Sequence, residues 1–195
     1  MLRLIPLNPP NLVTLLRILL IPLIVGVFYL PDAWLSFEGK NVAATGIFIF
    51  AAITDWLDGY LARRLNQISA FGAFFDPVAD KLVVVGALIV LLFLNRVDMV
   101  VALIIIGREI AISALREWMA TVGRAKSVAV AFIGKLKTGF QLVAIPMLLY
   151  DDELVFGLLN CAVMGTILIN IAAILTVVSM LYYLRKALPH ARVGA

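Results

Sequence analysis

Six apolar stretches separated by short polar breaks organise this chain. Several reach about 20 residues, the length that crosses a hydrocarbon core of roughly 30 Å. The first runs from about Leu12 to Leu30 and the second from about Val42 to Arg64. The third begins just before Pro77 and ends near Leu94, because proline is tolerated in a first helical turn but not in a helix interior. The fourth spans about Val97 to Trp118, the fifth ends near Tyr150, and the sixth covers about Leu154 to Leu184. Between them lie a polar loop over residues 31–41 with Trp34 as an interfacial anchor, a short turn over 65–71 and a tight turn over 95–98. A basic, glycine-containing connection follows over 119–134, and a turn over 151–153. Met1 to Pro10, with three prolines, reads as a short interfacial segment. The expected fold is therefore all-α and integral to a membrane, six transmembrane helices forming one domain over residues 1–195.

Composition supports this reading. The chain is 64% hydrophobic, against about half for a soluble domain, and its mean hydropathy is +1.08. The first apolar run has no small-residue cleavage site and reads as a retained helix. Cys161, the single cysteine, cannot form an intrachain disulfide. Net charge is only +4, so the location of the charges matters more than their sum. Six spans put both termini on one side. That side collects Arg3, Arg63, Arg64, Lys81, Arg116, Arg124, Lys126, Lys135, Lys137, Arg185, Lys186 and Arg192. The opposite loops hold Lys40 and Arg96 among Asp32, Glu38, Asp98, Asp151, Asp152 and Glu153. The positive-inside rule makes the first side cytoplasmic. Nothing in the pattern calls for a nucleic-acid partner.

Four aspartates carry the candidate chemistry. Asp55 and Asp58 are spaced i, i+3, and Asp76 and Asp80 i, i+4, so each pair shares a helix face. The short turn between the two segments makes their helices antiparallel neighbours and brings all four carboxylates to the cytoplasmic end. Carboxylates within a membrane span are costly and normally functional. Four together need cations between them, or else protonation. Oxygen-only ligands favour hard ions such as Mg²⁺, Mn²⁺ or Ca²⁺. Four carboxylates suit two divalent ions about 3.5–4 Å apart, as in in-line phosphoryl displacement. Gly59 after Asp58 costs about 1 kcal/mol of helix stability relative to alanine, which close approach of a ligand or of another helix explains. Ala62 keeps the same face flat. Arg63 either pairs bidentately with phosphate or is an ordinary cytoplasmic-end arginine.

These residues carry a resemblance. Asp55-x-x-Asp58-Gly59-x-x-Ala62-Arg63, eight residues, Gly72, three residues, Asp76, three residues and Asp80 reproduce the signature of the CDP-alcohol phosphotransferase family without departure. The stretches TDWLDGYLARRLNQ, FGAFFDPVADKL, REIAISALREWMA and GKLKTGFQLVA, with the N-terminal NLVTLLRILLIP, are similar to the bacterial phosphatidylglycerophosphate synthase branch. The resemblance implies six transmembrane helices around a polar cavity open to the cytoplasm, usually in a homodimer in the bacterial inner membrane. It implies CDP-diacylglycerol as donor, sn-glycerol 3-phosphate as acceptor and CMP as leaving group. It implies two divalent cations, Mg²⁺ or Mn²⁺, on the positions of Asp55, Asp58, Asp76 and Asp80, with Asp80 also the general base. Gly59, Ala62, Arg63 and Gly72 then serve the nucleotide and pyrophosphate.

Other residues have weaker signals. Asn11, Thr14 and Arg17 recur at i+3 on the first helix. Arg17 lies in an apolar run and faces the protein interior, for a nucleotide-side role or a structural hydrogen bond. Arg108 and Glu109 read as a buried ion pair. Lys81 contacts substrate or balances Asp80. Arg108, Lys135, Lys137 and Lys81 are the candidate cations for the acceptor's phosphate, although Lys135 and Lys137 would diverge by about 200° on a regular helix. The motif alone does not exclude sister activities making cardiolipin, phosphatidylserine or phosphatidylinositol phosphate. A cation- or proton-coupled transporter would also place carboxylates in spans.

Overall fold

A computed structural model describes residues 9–65, 70–121, 132–154 and 159–191. Six helices account for nearly all of them: α1 Pro9–Gly26, α2 Phe37–Leu65, α3 Ala70–Phe93, α4 Met99–Thr121, α5 Phe132–Tyr150 and α6 Cys161–Ala191. A single 3-10 turn, Val27–Tyr29, follows α1. Two-residue strands, β1 Glu153–Leu154 and β2 Leu159–Asn160, pair antiparallel ahead of α6.

Local chemistry sets the boundaries and moves several from their expected places. Three helices begin at side-chain caps. Ser36 Oγ accepts from Gly39 N at 3.2 Å, so α2 starts at Phe37 and takes over the end of the expected loop. Asp98 Oδ1 accepts from Val100 N at 2.8 Å, which starts α4 at Met99. Asn160 Oδ1 accepts from Val163 N at 3.0 Å, so α6 starts at Cys161, not Leu154, and the expected turn at 151–153 continues into the strand pair. Each cap satisfies an amide that the first turn leaves without an intrahelical partner. At the other end of α1, Leu30 turns extended (ψ 143°) before Pro31, as a residue preceding proline prefers. Asn95 closes α3 in the left-handed region (φ 56°), with Arg96 N reaching back to Leu91 O at 2.9 Å.

The third helix departs furthest from expectation. It starts at Ala70, so Pro77 lies inside it instead of in its first turn. Proline at that position removes one intrahelical donor and leaves the Ala73 carbonyl without it. Transmembrane helices accept this where neighbours re-satisfy the freed group.

Helices α2 and α3 also touch each other only slightly. The expectation that they pack directly is corrected, because α1 lies against both and mediates between them. Helix α5 packs along α6 and against α2, and α6 also covers α4. The main core joins Ile24, Phe48, Leu88, Leu91, Ile105, Ile145 and Leu149, all buried. Close approach depends on small residues. A Cβ on Gly165 of α6 would meet Leu148 Cγ of α5 at 2.7 Å and its backbone N at 3.2 Å. Small residues at such crossings let membrane helices pack by van der Waals contact. Gly165→Val should lower stability by roughly 1–3 kcal/mol through overpacking. Thermal unfolding in detergent, with activity per folded molecule unchanged, is the check.

The outer surface is apolar: Leu19, Ile53, Leu103, Ile110 and Ile174 are all more than half exposed. Among the described residues, the segments Leu12–Tyr29 and Cys161–Arg185 are long and apolar enough to cross a membrane. The polar ends differ in character. At one end, Arg96 holds the chain together. It bonds the α5 carbonyls of Leu148 (3.2 Å) and Leu149 (2.8 Å), Asn41 Oδ1 (3.1 Å) and Asp151 Oδ2 (2.9 Å). A cation there satisfies carbonyls that the end of a helix leaves unpaired. Lys40 is likewise paired, with Asp32 at 2.6 Å. The two cations expected in the opposite loops are thus both neutralised by acids of those loops.

Candidate functional site

The up-and-down order of the helices brings one half of each to the end away from Arg96: the first half of α1, α3 and α5 and the second half of α2, α4 and α6. The candidate residues collect there.

Arg17 is the hub of the aspartate group. It lies in α1, only 1% exposed, and its Nη1 donates to Asp55 Oδ1 of α2 at 2.8 Å and to Asp80 Oδ1 of α3 in direct contact. The two carboxylates remain about half exposed on their other side, 51% and 43%. Thr14, one turn earlier in α1, donates from Oγ1 to Asp76 Oδ1 at 2.5 Å. Helix α1 therefore joins the two aspartate helices through Thr14 and Arg17. Sequence reading placed Arg17 on an interior face, for a nucleotide-side role or a structural hydrogen bond. In the structure the side chains of Thr14 and Arg17 both bond aspartates.

Asp55, Asp80 and Arg17 border a cavity of about 120 Å³ whose other walls include Phe48, Ala52 and Leu142. The same three apolar residues also line an open groove of about 400 Å³ with Ile49 and Ile53, between α2 and α5. A small cavity with two carboxylates and a guanidinium among otherwise largely apolar walls thus adjoins an apolar groove.

Asp58, Gly59, Ala62 and Arg63 fall on α2, Gly72 on α3, Asn11 on α1 and Lys135 on α5, and their side chains lie outside the described set. Among the described residues no group of three or more acidic, histidine or cysteine side chains lies close enough to hold a metal ion. The donor chemistry nevertheless fits hard cations. Asp55 and Asp80 offer oxygen only, and one positive nitrogen already sits between them.

A second polar group forms on α4 and α5. Lys137 and Arg108 are almost fully buried, and both pair with Glu109: Lys137 Nζ in direct contact, Arg108 Nη1 at 3.4 Å. Arg108 Nη2 donates to Ser179 Oγ of α6 at 3.2 Å. Arg108 and Arg116 both lie over the Tyr183 ring, at 6.0 and 5.8 Å. The expected Arg108–Glu109 pair is present, and Lys137 joins it. Lys81, beside Asp80, bonds Ser113 Oγ at 2.5 Å, and Ser113 donates to the Glu109 carbonyl at 2.6 Å. Lys81 thus connects the aspartate group to the cation group. Because α5 starts at Phe132, Lys135 and Lys137 both belong to a regular helix and stand on faces about 200° apart.

Sequence reading did not single out Ser113, Ser179, Tyr183 or Gln141. Their one signal was a polar side chain on an otherwise apolar helix, which is common enough in membrane helices to pass unnoticed.

Comparison with known proteins adds to this geometry. The profile of a family described as CDP-alcohol phosphatidyltransferase matches residues 7–182. A protein of Shigella flexneri serotype 5b (strain 8401), named CDP-diacylglycerol–glycerol-3-phosphate 3-phosphatidyltransferase, is 48% identical over 182 residues, covering 92% of this chain and 94% of that protein. A protein of the same name from Escherichia coli (strain K12) matches with the same identity and coverage.

Proposed function

The chain belongs to the CDP-alcohol phosphatidyltransferase family, and on that premise we propose that it moves the phosphatidyl group of CDP-diacylglycerol onto sn-glycerol 3-phosphate, releasing CMP. The observation that carries the reading is the convergence of Asp55 and Asp80, from two helices, on one guanidinium at the edge of a cavity.

The aspartates divide the work. Asp80 accepts the proton of the acceptor hydroxyl, and the freed oxygen attacks the lipid-linked phosphorus in line while CMP departs from the opposite side. Arg17 fixes the orientation of Asp80 and Asp55. Asp55, Asp58, Asp76 and Asp80 would hold two divalent ions, Mg²⁺ or Mn²⁺. When bound, these neutralise the pyrophosphate and stabilise the leaving CMP. Gly59, Ala62, Arg63 and Gly72 serve the nucleotide and pyrophosphate, with Asn11 at the end of α1 on the same side. The apolar groove between α2 and α5 keeps an acyl chain in lipid while the headgroup enters the cavity. All six helices span the bilayer, with both termini and the site on the cytoplasmic face of the bacterial inner membrane. The protein works as a homodimer.

Arg108 and Lys137, with Lys81 alongside, supply the charge for the acceptor's phosphate, which free glycerol lacks. Arg108→Ala and Lys137→Ala should each raise the KM for sn-glycerol 3-phosphate far more than that for CDP-diacylglycerol. Each lost charge-assisted contact is worth about 1.5–3 kcal/mol. An acceptor screen following CMP release in detergent tests the whole reading. Preference for inositol phosphate, serine or phosphatidylglycerol over glycerol 3-phosphate would move the chain to a sister activity.

A further inference from the structure

Two buried cations share one carboxylate where α4 and α5 reach the site. Arg108 is 6% exposed and Lys137 2%, whereas the Glu109 side chain keeps 18%. The trio carries one positive charge in excess. Among the described residues, Arg108 Nε is buried without a hydrogen-bond partner. Gln141, one turn beyond Lys137 on the same face of α5, buries an Nε2 that also lacks one among the described residues. Among the described residues this cluster therefore has more donors than Glu109 satisfies, and its one acid is its most accessible charged member.

We propose that Glu109 is an internal stand-in for the acceptor's phosphate, holding the anion position between Arg108 and Lys137 until a phosphate dianion displaces it. The inference rests on the acceptor reading given above. Two buried cations with no counter-ion are costly, so a pocket waiting for an anion needs one of its own. A phosphate dianion brings twice the charge of a carboxylate and more acceptor oxygens. It can pair with both cations and also take the bond that Arg108 Nε lacks. A neutral alcohol brings no charge and leaves Glu109 in place. Glu109 thereby makes the acceptor's phosphate a condition of entry, which is selectivity by exclusion as well as by attraction. The chain from Lys81 through Ser113 to the Glu109 carbonyl ties this exchange to the helix that carries Asp80.

The test uses the full-length enzyme in detergent, with CMP release measured against sn-glycerol 3-phosphate and with inorganic phosphate as competing probe. Glu109→Gln removes the competing charge. The KM for glycerol 3-phosphate and the inhibition constant of inorganic phosphate should then fall together by about tenfold, since like charges at close quarters oppose binding strongly. The KM for CDP-diacylglycerol should not move. If both acceptor-side constants rise or stay unchanged in a folded variant, Glu109 only braces the two cations and the proposal is overturned. Should Glu109→Gln not fold, Glu109→Asp draws the carboxylate back by one methylene and should shift both constants the same way by less; no shift there overturns it equally. Failure of the acceptor reading looks different: Arg108→Ala and Lys137→Ala would then keep the wild-type acceptor KM, and inorganic phosphate would not compete even in the wild type.

Discussion

Replacing Asp80 by asparagine is expected to slow CMP release by about 10²–10⁴-fold, the range that a positioned general base supplies. Asparagine has the size of aspartate and keeps an oxygen that can accept from Arg17 Nη1, the bond that ties α3 to α1. The bundle should therefore fold normally, and CDP-diacylglycerol should still bind. What disappears is the group that takes the acceptor's proton. Single-turnover CMP release, set beside equilibrium binding of the donor, separates the two. Turnover within a few-fold of wild type would remove Asp80 from the role of base. A metal titration then asks whether Asp80 is also a ligand: if so, the half-saturating concentration rises in the variant; if it is base alone, that concentration stays put while the maximal rate falls.

Removal of divalent ions has an equally large expected effect. EDTA should abolish turnover, and Mg²⁺ or Mn²⁺ should restore it. Asp55→Ala and Asp76→Ala should each lose more than about 100-fold, since even outer-shell partners of a metal site are worth 10–100-fold in affinity or activity. The two sit on different helices and are held by different residues of α1, Asp55 by Arg17 and Asp76 by Thr14. A shared loss therefore argues for a common ion more than for damage to one local contact. Undiminished turnover in EDTA would sink the two-metal reading, because no protein cation besides Arg17 is seen between Asp55 and Asp80 among the described residues.

Much of this protein was legible along the chain because its signals are local. Apolar runs of membrane length announce six helices, and the i, i+3 and i, i+4 spacings place the aspartates in pairs. Ser36, Asp98 and Asn160 were available as helix-start signals, since a cap needs only a short polar side chain and an amide two or three residues on. The segregation of basic residues was also readable, and Lys40 and Arg96 on the far side are indeed matched by nearby acids. The family resemblance is likewise carried by local spacing, because its eight motif positions span only Asp55 to Asp80.

Partner choice between helices was not legible. Every apolar face in lipid resembles every other, so nothing local says that α1 should mediate between α2 and α3, or that Gly165 should meet Leu148. The start of α3 was misplaced because Pro77 speaks only for its own turn, while the helix continues before it. Tertiary structure alone decided that Arg17 reaches Asp80 across 63 residues, that Lys137 reaches Glu109 across 28, and that Arg96 caps α5 across more than 50. The physical reason is the same in each case. A charge buried away from water must find a counter-charge or a carbonyl wherever the packing of helices puts one, and that packing is set by the shapes of side chains far apart in sequence.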